Sequence, residues 1–274
     1  MPVIEPFIRW AGGKTWLVPH IAQLIGSISI EHYHEPFLGG GAVFFSLDTK
    51  KKSYLSDANP QLINTYIQVR DDPERVISFF ENMPNTKDDY YRIRSEITKE
   101  PTAQNAARFI YLNQTSFNGL YRVNRQGQYN VPYGYRKREY NVGRILVASE
   151  ALRNTRIEVG DFELNRNRIM KNDLVFLDPP YTVSHNNNGF IQYNQNLFSL
   201  EDQYRLKQYI DFIKRKNAYY ILSNAAHEKI REIFENDNDR VIELRRNSSI
   251  GGKFAARTAV SEYIFTNIPE VHHE

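Results

Sequence analysis

The sequence predicts an α/β fold, a sheet covered by helices on both faces, interrupted by a polar insert made of helices and a hairpin. Three observations predict it. Short apolar runs alternate with longer amphipathic stretches along most of the chain. Four of the runs stop at a glycine turn or an aspartate, as strands do where an α/β sheet gathers its ligands. The stretch from 60 to 150 breaks this rhythm, being polar and ending in a basic segment.

The elements follow in order. Residues 31–36 read as a strand leading into Glu35-Pro36-Phe37-Leu38-Gly39-Gly40-Gly41, and a helix is expected over Ala42 to Leu47. Residues 53–56 form a second strand that stops at Asp57, and 156–159 a third that stops at Gly160-Asp161-Phe162. The run 173–177 is continuously apolar and ends at Asp178-Pro179-Pro180-Tyr181. Further strands are expected at 218–224, 240–244 and 262–266, with helical periodicity at 201–216 and 226–235. Within the insert, 61–70, 73–82 and 103–113 read as helices. The expected division is a main domain of residues 1–59 and 151–274, and an inserted domain of residues 60–150.

Composition bounds the chemistry. With 274 residues, 41 % hydrophobic and 24 % charged, the chain has the material for a sizeable core. It has no cysteine, which removes disulfides, thiolate zinc sites and cysteine nucleophiles and fits a reducing cytoplasm. No signal-peptide layout and no membrane-spanning run is read, so no membrane partner is expected. The net charge is only +3, so a nucleic-acid surface must come from local clustering. Eighteen tyrosines suit base stacking and a tyrosine-rich core equally. No metal site is expected, since two of the seven histidines, His272 and His273, sit in the tail.

Gly39 and Gly41 allow positive φ and close approach of backbone to a ligand. The turn lacks the Lys-Ser/Thr ending of a P-loop, which disfavours nucleoside triphosphates. Asp57 stands one strand further on, where an acid can receive ribose hydroxyls, or can cap the helix near Pro60. Arg9-Trp10-Ala11-Gly12-Gly13-Lys14 adds an aromatic and a cation, and Lys14 suits an amino-acid carboxylate as well as a solvated loop. Asp161 offers an acceptor for an exocyclic amine and Phe162 a ring for an adenine, or a cap and a core residue.

Asp178-Pro179-Pro180-Tyr181 points to a reaction. A nucleobase amine is a poor nucleophile because its lone pair is delocalised into the ring. Two acceptors on its hydrogens, the Asp178 carboxylate and the Pro179 carbonyl, favour the tetrahedral geometry needed for in-line attack on a methyl group. The prolines fix φ and hold those acceptors in place, and Tyr181 offers a stacking face. A base presented this way has left its duplex.

The motifs 9–14, 35–41, Asp57-Ala58-Asn59 and 178–181, in that order, resemble the Dam family of adenine-N6 DNA methyltransferases, the D12 class, alpha group. Asn118-Gly119-Leu120-Tyr121-Arg122-Val123-Asn124 and Asn130-Val131-Pro132-Tyr133-Gly134 look like its recognition hairpin. The resemblance implies a Rossmann-like catalytic domain with S-adenosyl-L-methionine as cofactor and an inserted target-recognition domain. It implies that Trp10, Lys14, Phe37, Gly39, Gly41, Asp57, Asp161, Phe162 and Asp178 line the cofactor pocket. Asp178 and Tyr181 would then hold the target adenine.

The segment from Gly119 to Arg138 carries five basic residues and no acid, with Gln126-Gly127 as the turn of a hairpin suited to the major groove. By similarity Arg122 and Asn124 contact bases and Phe117 is the wedge beside the flipped base. Pro132, Arg136, Lys137 and, in a second basic loop, Lys253 complete the expected DNA surface of a double-stranded substrate. The family's usual target is GATC, with a hairpin ending in Gly-Arg-Tyr-Lys. Here it reads Gly134-Tyr135-Arg136-Lys137, which leaves GATC or a related short palindrome as the expected site. RNA adenine or cytosine-N4 methylation with the same tetrapeptide, and a DNA-binding protein without chemistry, are the alternatives. A monomer or weak dimer at the nucleoid, with a cognate restriction endonuclease as partner, completes the expectation.

Overall fold

The computed structural model describes residues 4–26, 28–47, 51–135, 140–181, 198–247 and 259–270. Among them seven strands form one sheet in the order β3-β2-β1-β4-β5-β7-β6. The strands are β1 Tyr33–Glu35, β2 Ser53–Asp57, β3 Thr155–Val159, β4 Leu174–Leu177, β5 Tyr219–Ala225, β6 Arg240–Asn247 and β7 Ala259–Thr266. The helices are α1 Val18–Ile25, α2 Pro60–Asp71, α3 Pro73–Glu81, α4 Lys87–Glu96, α5 Ala103–Thr115, α6 Gly143–Leu152, α7 Leu200–Arg215 and α8 Glu228–Phe234.

Two compact units divide the chain, Met1–Ala22 with Leu38–Phe162 and Gln23–Phe37 with Glu163–Glu274. In the first, β2 runs parallel to β3 with Ser53 opposite Thr155 and Asp57 opposite Val159. Helix α2 packs on both strands and on α5 and α6. The Arg70 guanidinium donates to the Thr155 carbonyl at 3.0 Å, and Ser149 Oγ donates to the Arg70 carbonyl at 3.2 Å. These contacts tie α2 and α6 to β3 within this unit. Asn59, Thr86 and Thr102 cap α2, α4 and α5 through their side chains, each worth about 1 kcal/mol. Helix α5 buries ten of its thirteen residues and is the core element of this unit.

In the second unit, β1 and β5 flank β4, both parallel to it, and β7 joins antiparallel between β5 and β6. All of β4 is buried, which is why its sequence shows no alternation. A ladder of hydrogen bonds holds the amino end. Asp173 accepts from His32 Nδ1 at 2.9 Å and from His34 Nε2 at 3.0 Å, and its second oxygen also accepts from the Met170 N–H. Burial pushes the His34 imidazole down, so the neutral ring donates through Nε2 to a carboxylate that can only accept. Burial works to raise Asp173, but the bonds from His34, the Met170 N–H and His32 prevail and hold its carboxyl below the usual range.

Tyr33, Tyr66, Tyr90, Tyr111, Tyr209 and Tyr220 are fully buried, so much of the tyrosine content is core rather than stacking surface. The helix expected over 42–47 is a single 3-10 turn, Phe44–Ser46, among the described residues. Ser46 Oγ bonds back to the Ala42 carbonyl at 2.7 Å, and Leu47 turns extended, which ends the helical path.

Candidate functional site

The first unit assembles a rim from loops at strand ends. Gly39 and Gly41 have φ of +47° and +67°, the left-handed region that glycine tolerates. The Leu38 N–H donates to the Ser56 carbonyl at 3.0 Å, and the Gly39 N–H to Asp57 Oδ2 at 3.0 Å. Asp57 Oδ1 accepts from the Asn59 N–H at 2.9 Å, while Asn59, not Asp57, caps α2. The Gly160 N–H donates to the Asp57 carbonyl at 3.1 Å, which brings the Gly160-Asp161 turn to the same rim. Burial pushes the Asp57 carboxyl up, and the N–H groups of Gly39, Asn59 and Ala58 work against it.

Trp10 closes the glycine turn from above. A Cβ on Gly39 would lie 2.7 Å from Trp10 Cδ1, and one on Gly40 would lie 3.0 Å from Trp10 Cβ. The indole is stacked on Tyr121 at 5.4 Å and 22° and lies 6.4 Å from Phe109. Lys14, at the end of the turn, is 4 % exposed, too buried for the solvated loop lysine that the sequence also allowed. Phe162 is buried and Asp161 exposed. Trp10, Gly39, Gly41, Asp57 and Asp161 are thus linked through direct neighbours in one unit.

The hairpin belongs to the same unit. Its turn is closed by Gly127 N–H to the Asn124 carbonyl at 2.9 Å and Asn124 N–H to the Gln128 carbonyl at 2.8 Å. Pairing is confined to bridges, Val123 with Tyr129 and Ser116 with Tyr133, rather than two continuous strands. Asn124 Oδ1 accepts from the N–H groups of Gln126 and Gln128, so the amide itself builds the turn. The Arg122 side chain is oriented by Asn130, whose Oδ1 accepts from Nε at 2.8 Å. Phe117 is 52 % exposed, an uncommon placement for a phenylalanine, and its N–H donates to the Pro132 carbonyl at 2.9 Å. Gly134 is required here, because a Cβ would fall 2.5 Å from the Ser116 carbonyl oxygen. Arg136, Lys137, Lys253, His272 and His273 lie outside the described residues.

One buried residue carries a tie the sequence did not reveal. Asn113 on α5 accepts from the Arg9 N–H at 2.8 Å and donates to the carbonyls of Arg9 at 2.7 Å and Gly119 at 3.3 Å. Its partners are 104 residues away along the chain for Arg9, beyond any local pattern.

In the second unit the strand order reverses between β1 and β4, with Tyr33 opposite Leu174 and His34 opposite Val175. Both strands therefore run out together, β1 into Pro36-Phe37 and β4 into Asp178-Pro179. Open α/β sheets hold ligands at this switch point. Phe37 is half-buried against Phe198, with ring centroids 5.6 Å apart. Asp178 and Tyr181 are half-buried, Pro179 is buried and Pro180 is exposed.

A glycine turn with an acidic acceptor in one unit, and an Asp-Pro-Pro-Tyr turn at a strand end in the other, are the parts expected of an S-adenosyl-L-methionine-dependent methyltransferase. Comparison with known proteins supplies the particular group. Residues 10–250 match the model of the D12 class N6 adenine-specific DNA methyltransferases, and the chain belongs to that family. It is 38 % identical over 275 residues to the Type II methyltransferase M1.LlaDCHI of Lactococcus lactis subsp. cremoris, covering 96 % of this chain and 95 % of that one. To a DNA adenine methylase of Vibrio cholerae it is 30 % identical, and to that of Escherichia coli K12 29 %, each covering 97 % of this chain and 96 % of the relative. The protein is an adenine-specific DNA methyltransferase that uses S-adenosyl-L-methionine.

Proposed function

We propose that the chain methylates N6 of an adenine flipped out of double-stranded DNA, within GATC or a related short palindrome. The observation that carries the reading is the rigid turn Asp178-Pro179-Pro180-Tyr181 at the end of a wholly buried strand, at the switch point of the sheet. The Asp178 carboxylate and the Pro179 carbonyl accept hydrogen bonds from the two N6 hydrogens and draw the nitrogen away from planarity toward attack. Preorganised acceptors of this kind need no rearrangement at the moment of reaction. Tyr181 stacks on the extruded base, and Phe117, exposed on a turn clipped to Pro132, fills the space it leaves.

The residues fit S-adenosyl-L-methionine by their chemistry. An ionised carboxylate has about four acceptor positions, so the backbone ties on Asp57 leave capacity for ribose hydroxyls. Lys14 would meet the methionine carboxylate, and Trp10, Phe37, Gly39, Gly41, Asp161, Phe162 and Asp178 would line the remainder. When bound, the cofactor supplies a sulfonium-activated methyl group.

Residues 60–150 act as the target-recognition domain, and 1–59 with 151–274 as the catalytic domain. Arg122 and Asn124 approach base edges, while Arg136, Lys137 and Lys253 meet phosphates. No helix among the described residues is long and apolar enough to cross a membrane. The protein acts as a monomer or weak dimer on nucleoid DNA in the cytoplasm. The Type II name of the Lactococcus relative supports a cognate restriction endonuclease as partner. Long-read sequencing of DNA from cells expressing the chain tests the reading. The expected result is N6-methyladenine at one short palindrome; methylation scattered without sequence context would overturn it.

A further inference from the structure

The loop that carries Trp10 and Lys14 and the loop that carries Phe117 are held by one side chain. Asn113 is 2 % exposed and sits in the last turns of α5. Its amide meets Arg9 at two points, Oδ1 accepting from the N–H at 2.8 Å and Nδ2 donating to the carbonyl at 2.7 Å. The same Nδ2 donates to the Gly119 carbonyl at 3.3 Å. Arg9 immediately precedes Trp10, and Gly119 lies between Phe117 and Arg122 in the recognition segment.

The two loops also press on each other directly. A Cβ at Gly119, whose φ is +66°, would lie 2.9 Å from Arg9 Cδ. Trp10 stacks on Tyr121 in the hairpin and covers Gly39 in the glycine turn. Tyr121 packs edge-on against Tyr129, which donates to the Leu120 carbonyl at 2.6 Å. Neither loop can shift without loading the Asn113 amide or the Trp10 stack. A buried amide that donates and accepts on one backbone residue has few substitutes: a leucine of similar size would strand both the Arg9 N–H and its carbonyl.

We propose that Asn113 is a positioning residue that couples methyl-donor binding to DNA binding. The inference rests on the reading above, in which Lys14 and Trp10 face the cofactor and the hairpin faces DNA. A ligand that shifts one loop shifts the other through Asn113, so the second ligand meets a loop already moved toward its bound position. Linkage then requires that each ligand tighten the other by the same factor.

The test uses the full chain, S-adenosyl-L-homocysteine as unreactive probe, and a duplex carrying the methylated sequence. DNA affinity is measured with and without the probe, and probe affinity with and without DNA. The wild-type chain is expected to show mutual tightening of roughly fivefold or more, the lower range of allosteric couplings. Asn113→Ala should bring both ratios to within about twofold of unity. A merely structural Asn113 would weaken both single affinities and thermal stability and leave the ratios alone, which would overturn the proposal, as would a wild-type ratio of one.

Asn113→Asp serves where the alanine variant does not fold. It keeps the acceptor toward the Arg9 N–H and turns its other oxygen toward two carbonyls, and it too should lose the coupling. Lys14→Ala and Arg122→Ala test the underlying reading separately, each expected to weaken its own ligand. If they do so while the Asn113 variants keep full coupling, only the clamp is refuted. If Lys14→Ala binds the probe normally, the cofactor assignment fails and the clamp with it.

Discussion

Gly39→Ala tests the architecture of the glycine turn with a single methyl group. Two costs add. At φ +47° an L-residue pays about 1 kcal/mol that glycine does not. The new Cβ would also lie 2.7 Å from Trp10 Cδ1 and 3.0 Å from Nε1, well inside ordinary carbon contact. Trp10 cannot retreat freely, because its ring is stacked on Tyr121 and flanked by Phe109. Forcing a packed ring aside costs about 1–3 kcal/mol. The sum is about 2–4 kcal/mol, less up to about 1 kcal/mol gained from a stiffer unfolded chain. Gly12→Ala is the control: its φ is +81°, yet nothing lies within 4 Å of its Cβ. It carries the conformational cost alone. Urea unfolding of both variants, with binding of S-adenosyl-L-homocysteine alongside, reads the difference. Gly39→Ala is expected to lose more stability than Gly12→Ala by at least about 1 kcal/mol, the lower bound for overpacking, and to weaken the ligand. Equal losses would refute the idea that Trp10 closes this turn.

Acidification should destabilise the protein from below pH 6.5, the ordinary histidine value. The folded state keeps His34 neutral where the unfolded chain takes up a proton, so stability rises with pH through that window and is lost below it. Asp173, held below 3.8, adds a further loss of the same sign as its carboxyl is protonated. Urea midpoints at pH 7.5 and pH 5.5 check this, and His34→Gln should flatten the difference; an unchanged difference would remove His34 as its source. Arg122→Ala is expected to cost roughly 1–3 kcal/mol on the cognate duplex and little on random DNA, whereas Lys253→Ala should weaken all duplexes alike and lower the salt dependence. Affinities on both DNAs across a salt series separate the two, and a sequence-selective loss with Lys253→Ala would contradict its assignment to phosphate.

The sheet was largely legible because buried strands of this kind print themselves as apolar runs with a polar stop. The run 173–177 ends at Asp178 for that reason, and 53–56 ends at Asp57. Helix α4 was not legible, since Lys87–Glu96 is crowded with charge and buries only Tyr90 and Ile93. Helices α1 and α6 were also missed. The helix expected after the glycine turn was over-read, because Ser46 bonds to Ala42 and Leu47 leaves the helical path. At the site, the motif residues were visible one by one, but the ties between them were not. Asn113 sits inside an ordinary helical run, and its role lies in partners that the fold, not the sequence neighbourhood, brings near. Asn124 shows the converse: a residue expected at DNA has its side chain engaged in building its own turn.

In the proposed mechanism the turn after β4 activates an adenine amine through two fixed acceptors. Single-turnover transfer of a labelled methyl group by Asp178→Ala, with duplex affinity measured in parallel, tests it most directly. Transfer should fall by about two to three orders of magnitude or more, the worth of one preorganised polar group, with DNA binding within a few-fold of the unaltered chain. Transfer at an undiminished rate would take Asp178 out of the chemistry.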